Sequence, residues 1–141
     1  MEQAQTITVE CTVNAPVEKV WTLWSEPQHI TQWTNASDDW HTPSAVNDLR
    51  VGGEFTTRME AKDGSFGFDF GGVYDRVDHN ERIDYTMGDG RKVTIAFVSE
   101  GGATKIIETF DPEGENPIEM QREGWQAIMN NFKKYAESTT A

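Results

Sequence analysis

At 141 residues the chain has the length of one ordinary domain and enough material to bury a sizeable core. Acidic residues number 24 against 12 basic ones, a net charge of -12, which argues against the Lys- and Arg-rich footprint that nucleic acid or an anionic membrane demands. The lone Cys11 excludes an internal disulfide and offers no zinc-type spacing, so no metal is expected. No basic stretch followed by an apolar run opens the chain, and no window nears the roughly 18 apolar residues of a membrane span. A soluble, cytoplasmic protein is therefore expected, its acidity serving solubility.

The first element is a strand. Ile7, Val9, Cys11 and Val13 alternate with Thr6, Thr8, Glu10 and Thr12, the period-2 pattern of a half-buried strand. Pro16 marks the start of a helix, whose apolar face is Val17, Val20, Trp21 and Trp24. Ser25 and Gln28 have capping-box spacing around Pro27, which predicts a second short helix to about Trp33 with Ile30 and Trp33 inward. Asn35 to Asn47 reads as polar and irregular, with Trp40 and His41 inside it.

An antiparallel meander follows. Gly52-Gly53 introduces a strand with Phe55, Thr57 and Met59 on one face, and Lys62-Asp63-Gly64 is a turn signal. Phe66, Phe68, Phe70 and Tyr74 share the next face, with Gly71-Gly72 marking a bulge or a sharp bend. Asp78-His79-Asn80, Gly88-Asp89-Gly90 and Gly101-Gly102 separate three further strands, carrying Ile83, Tyr85 and Met87, then Val93, Ile95 and Phe97, then Thr104 to Phe110. Turns this short imply sequential antiparallel pairing.

The last element is a helix of about five turns. Asn116 can cap it, Pro117 suits its first position, and Glu119 follows three residues after the cap. Ile118, Trp125, Ile128, Met129, Phe132 and Tyr135 form its stripe, interrupted at Gln121 and Arg122. Gly124 lies mid-helix at a cost of about 1 kcal/mol relative to Ala. Close approach of a backbone or a ligand would account for that glycine, and so would a tolerated surface position. The elements predict an α+β fold in which a curved antiparallel sheet of about six to seven strands wraps the long C-terminal helix, with two short helices after the first strand. Where helix and sheet diverge, a cavity is expected.

Ala15-Pro16-Val17-Glu18-Lys19-Val20-Trp21, Trp33 after Pro27, Val51-Gly52-Gly53-Glu54-Phe55, Glu108-Thr109-Phe110 and the run from Gly124 and Trp125 to Phe132 carry a resemblance. In this order and spacing they resemble the SRPBCC, or START/Bet v 1-like, superfamily. The nearest likeness is to its single-domain proteins similar to the C-terminal domain of the activator of Hsp90 ATPase. The resemblance spans nearly all of residues 1–141, as a single domain, and implies a helix-grip fold with a hydrophobic cavity. Lipid carriers, plant hormone receptors and aromatase/cyclases share that superfamily, so the fold does not fix the activity.

Aromatic residues supply the candidate site. Trp33, Trp40, Phe68, Tyr74, Tyr85, Phe97, Trp125 and Met129 are the expected cavity lining as a set, although for any one of them taken singly a plain core position is the safer reading. Glu54, Arg58, Asp69, Arg76 and Glu108 are expected mostly on the outer face in cross-strand pairs, with Arg58 and Glu108 the two that a lined cavity could turn inward. His29, His41 and His79 fall on separate segments without ligand spacing. Gly52-Gly53 precedes a strand and provides no helix N-terminus for a phosphate. With no catalytic residue or cofactor singled out, the leading expectation is non-catalytic binding of a small hydrophobic or aromatic molecule. The alternatives are a protein-interaction module similar to the Hsp90 activator domain, with a chaperone or other protein as partner, and an enzyme of cyclase or hydrolase type using Tyr, Arg or Glu as acid and base.

Overall fold

The computed structural model describes residues 6–35, 39–114 and 116–138. They run β1 (Ile7–Val13), α1 (Val17–Ser25), α2 (Pro27–Trp33), β2 (Trp40–Asn47), β3 (Glu54–Ala61), β4 (Gly67–Asp78), β5 (Arg82–Met87), β6 (Lys92–Glu100), β7 (Ala103–Phe110) and α3 (Ile118–Ser138). The seven strands form one antiparallel sheet in the order β1-β7-β6-β5-β4-β3-β2. Hairpins join β2 through β7 in sequence, and β1 closes on the last strand with Ile7 opposite Phe110 and Val13 opposite Thr104. The sheet curls into a half-barrel around α3, the helix-grip arrangement expected from the sequence. Among the described residues no helix is long and apolar enough to cross a membrane.

Alternation decides which way each strand faces. Ile83, Tyr85 and Met87 of β5, and Val93, Ile95 and Phe97 of β6, are all buried, while their neighbours are more exposed. Glycine matters most at the hairpin joining β6 and β7. Glu100 pairs with Ala103, so Gly101 and Gly102 are the whole loop, and both have positive φ (57° and 93°). A two-residue turn of this hand matches the twist of the strands and excludes most side chains.

Two local expectations change. Residues 40–47 form the edge strand β2, with Pro43 sitting where the register with β3 shifts between His41 and Ser44. An edge position tolerates a residue that cannot donate to the ladder, which is why the polar, proline-containing stretch still pairs. In β4 the register irregularity falls between Tyr74 and Arg76, after the glycine pair rather than at it. Gly71 and Gly72 serve close approach: a Cβ at Gly71 would lie 2.4 Å from the Phe55 carbonyl oxygen, and one at Gly72 would lie 2.5 Å from that of Thr86.

The helices lock one end of the half-barrel. The expected capping box is not formed: the Ser25 hydroxyl donates to the Trp21 carbonyl at 2.6 Å, and Glu26 caps α2 through its backbone, with Pro27 in the first turn. The Trp33 indole N–H donates to the Leu23 carbonyl at 2.9 Å, and the Asn131 amide of α3 donates to the Trp33 carbonyl at 2.8 Å. Phe132, wholly buried, meets Trp24 and Trp33 edge-on at 4.9 and 4.8 Å. The Gln126 amide of α3 donates to the Glu10 carbonyl at 3.0 Å, which holds the helix against β1.

At the other end of α3 the contacts differ. Asn116 does not turn back as a cap; its amide donates to the Glu113 carboxylate at 2.7 Å. Gln121 closes the link instead, donating to the carbonyls of Asn116 (2.8 Å) and Glu113 (3.1 Å) and accepting from the Glu113 N–H (2.8 Å). Those bonds explain the interruption of the apolar stripe, because Gln121 is buried there as a connector. A Cβ at Gly124 would meet nothing within 4 Å, so this glycine is an open, tolerated position and no close approach requires it. Met129, Phe132 and Ala136 are fully packed, whereas Trp125 and Ile128, nearer the start of α3, are only partly buried. The helix lifts from the sheet toward its N-terminal half.

Candidate functional site

The lift leaves a cavity of about 340 Å³ between the inner face of the sheet and α3. Its floor comes from alternate residues of five strands: Phe55, Thr57 and Met59 of β3, Phe68, Phe70 and Tyr74 of β4, Ile83 and Tyr85 of β5, Ile95 of β6 and Glu108 of β7. Trp125, Ile128 and Met129 of α3 form the roof, and Trp24, Ile30 and Trp33 of the short helices close one end. Arg91, Glu113 and Gln121 border the other end, where the β5–β6 turn and the β7–α3 link lie. Trp125 is held in place from beside the cavity, stacked on Phe110 with ring centroids 3.8 Å apart and planes 13° from parallel.

Trp33, Phe68, Tyr74, Tyr85, Trp125 and Met129 therefore face one space. Trp40 and Phe97 do not, and the expectation for both is corrected. Trp40 begins the edge strand and packs its ring against Phe66 and Phe68, each at 6.0 Å. Phe97 points inward but lies under α1, meeting Trp21 at 5.2 Å and Trp24 at 5.8 Å edge-on. Of the charged strand residues, Arg58 stays outside, paired with Glu60 (2.9 Å) and Asp69 (3.4 Å). Glu108 goes inside, 7% exposed and lining the cavity. Its position was legible, since it shares strand parity with Ile106 and Phe110, both buried. Phe55 and Phe70 carried the same kind of signal; Arg91 carried none.

The polar groups in this space differ in how they are satisfied. The Tyr74 hydroxyl donates a short hydrogen bond to the Asn47 side-chain oxygen, and the Asn47 amide in turn donates to the Ser25 carbonyl at 2.5 Å. Among the described residues neither the Tyr85 hydroxyl nor the Glu108 carboxyl makes a hydrogen bond to the protein, and both residues open onto the cavity they line. Desolvation by burial pushes the Glu108 carboxyl up to about 8, so at neutral pH it is mostly a carboxylic acid. Burial, reinforced by the nearby Glu108, raises Tyr85 well above the ordinary phenol value, and burial raises Tyr74 as well. Both phenols are thus neutral hydrogen-bonding groups across the physiological range, and neither is a ready general base.

No metal centre competes for this space: among the described residues no three His, Cys, Asp or Glu side chains are placed to hold an ion. The histidines are dispersed, His29 bonded to the Tyr135 hydroxyl at 2.6 Å, His41 beside Glu60 at 3.7 Å and His79 edge-on to Trp21 at 5.3 Å.

A seven-stranded half-barrel gripping a C-terminal helix above an aromatic cavity defines the Bet v 1-like, or SRPBCC, class of domain. Within that class the chain belongs to the family described as Activator of Hsp90 ATPase homolog 1-like protein, whose model matches residues 14–137. The solution structure of Chr148 from Cytophaga hutchinsonii is 61% identical over 94% of this chain and 92% of its own, with a TM-score of 0.82. The solution structure of the AHSA1-like protein from Aeromonas hydrophila is 45% identical over 95% of this chain and 93% of its own, with a TM-score of 0.89. The crystal structure of CV1439 from Chromobacterium violaceum, 22% identical over 95% of this chain and 98% of its own at a TM-score of 0.83, shares the fold. Among curated proteins none matches.

Proposed function

We propose that this domain binds a small hydrophobic or aromatic molecule between the sheet and α3, without catalysing its conversion. The observation that carries the reading is the cavity itself: about 340 Å³ of space walled by aromatic and aliphatic side chains, within the size range of small-molecule sites. A core of this composition packs solid when nothing needs the room, because each unfilled volume forfeits dispersion contacts. Two polar groups that make no hydrogen bond to described residues, set in a mostly apolar wall, fit the usual design of such sites, in which a few polar atoms orient a mostly apolar guest. Among the described residues Glu108 has no nucleophile or second acid–base group bonded to it, which favours binding over turnover. The test is a titration with a bicyclic aromatic probe followed at the methionine methyl resonances. Met59 and Met129 line the cavity and are expected to shift saturably; unmoved resonances at saturating probe would contradict the reading.

A second reading, an interaction module similar to the Hsp90 ATPase activator domain, draws on the family and on one separate observation. Phe66 and Phe68 stand 61% and 38% exposed beside Trp40, an aromatic patch of the kind that marks contact surfaces. It predicts that adding the domain to an Hsp90-type chaperone raises the ATPase rate and that Phe66→Ser lowers the gain. An unchanged rate with the wild-type domain removes it.

A further inference from the structure

The cavity is mostly apolar, and the carboxyl carried by its sheet floor is that of Glu108, Glu113 lying at the border. Glu108 sits mid-strand in β7, opposite Val9 on one side and Ile95 on the other, both buried aliphatic residues. It is more than nine-tenths buried, lines the cavity, and receives no hydrogen bond from any described residue. Burying a carboxyl without a partner is unfavourable, and a fold with no use for it would carry an aliphatic residue in that register. Beside it, close enough to be affected by its charge, is the Tyr85 hydroxyl, also buried and also without a partner among the described residues. Together they make a polar pole distinct from the Tyr74–Asn47–Ser25 group, whose members bond one another.

The charges around that pole indicate its complement. Arg91 borders the cavity, but its guanidinium is engaged by Asp89 at 2.7 Å. Glu113 borders the same end and is acidic. From β1, Cys11 comes near enough to be influenced by Glu108, and its thiol, pushed up to about 11 by burial, carries no charge at neutral pH. Lys133 and Glu137 of α3 act on Cys11 from beyond it. Tyr74 and Tyr85 are neutral. No described cation is paired with Glu108. Phe70, Tyr85 and Trp125 line the chamber, and aromatic rings attract a positive charge that reaches their faces. A net charge of -12 also draws cations toward the molecule from a distance.

We propose that the occupant is an aromatic or otherwise apolar amine whose ammonium group docks on Glu108, with Tyr85 as a second hydrogen-bonding contact. This rests on the cavity-binding reading and names the chemical class of its ligand. The amine enters as an ammonium ion, Glu108 gives up its proton to solvent, and the carboxylate so formed pairs with the ammonium group. Around neutral pH, where Glu108 begins protonated, binding therefore releases a proton.

The test compares three probes of one shape: 2-naphthylmethylamine, 2-naphthylmethanol and 2-methylnaphthalene. Calorimetry at pH 7 is expected to give the amine at least roughly tenfold tighter binding than the alcohol. Repeating it in buffers of different ionisation enthalpy is expected to show about one proton released per amine bound and none for the neutral probes. Glu108→Gln is expected to cut the amine's preference below about twofold while the two neutral probes keep their affinity. Equal binding of amine and alcohol, or a preference that survives in Glu108→Gln, overturns the amine assignment and leaves the cavity reading standing. If none of the three probes binds the wild-type protein, both fall. The amine-to-alcohol ratio is read on the wild-type chain, so it decides the matter even if the variant folds poorly.

Discussion

Glu108→Gln is expected to stabilise the protein by a few kcal/mol at pH 9 and to leave it nearly unchanged at pH 4. The carboxyl is raised to about 8 in the folded protein by desolvation, whereas in the unfolded chain it returns to about 4.3. Below pH 4 both states hold the proton, and the glutamate and glutamine side chains are similar in shape and charge. Between those values the unfolded chain has released its proton while the folded one retains it, so the folded state binds more protons and wild-type stability falls as pH rises. The slope is about 1.4 kcal/mol per pH unit for one proton, giving a total on the order of 5 kcal/mol once the pH has passed 8. Urea unfolding of both proteins at a series of pH values isolates the effect, because every other titrating group cancels in the difference. A difference that stays flat from pH 4 to pH 9 would show that the Glu108 carboxyl is not desolvated in the folded protein.

Phe132→Ala carries a cost of similar size, expected to be about 3–5 kcal/mol at any pH where the protein is folded. The ring is completely buried where α3 meets both short helices, edge-on to Trp24 and Trp33. Removing it takes away a large apolar surface and leaves a hole beside an existing cavity. The hydrogen bonds from Trp33 to Leu23 and from Asn131 to Trp33 restrain the surrounding groups from moving in to fill it. Against a typical total stability of 5–15 kcal/mol, the variant is expected to be partly unfolded on heating only modestly. Chemical denaturation measures this directly, and a loss under about 1 kcal/mol would mean that α3 is not anchored at this junction.

Most of the frame was legible because it depends on periodicity alone. Ile83, Tyr85 and Met87, or Val93, Ile95 and Phe97, declare a buried face two residues at a time, and the positive-φ glycines of the β6–β7 hairpin declare its turn. The Ile118-to-Tyr135 stripe likewise specifies which side of α3 meets the sheet. Parity cannot tell how far along the sheet a helix lies above an inward residue. Phe97 and Tyr85 look alike in sequence, but α1 covers the first and the raised half of α3 leaves room over the second. Trp40 was obscured for another reason: its strand is held by pairing with β3 and not by its own pattern, and it lies on the sheet's edge. Glu108 is the instructive case. A charged residue in a strand is ordinarily placed outside on its chemistry, yet its register between Ile106 and Phe110 places it inside.

The resemblance seen in the motifs of Pro16, Trp33, Gly52-Gly53 and the Gly124–Phe132 run spoke to family and fold, both of which the structure and its relatives share. It could not speak to the occupant of the cavity, since the superfamily's fold serves many activities. That part of the account rests on residues specific to this chamber.

The most direct measurement of its central claim is the methionine methyl titration with a bicyclic aromatic probe, because the chain carries its own controls. Met59 and Met129 line the cavity, Met87 is buried away from it, and Met120 is 60% exposed on the outer side of α3. Saturable shifts at Met59 and Met129, with Met120 unmoved, are the predicted result. Shifts confined to Met120, or none at saturating probe, would contradict a ligand held between the sheet and α3.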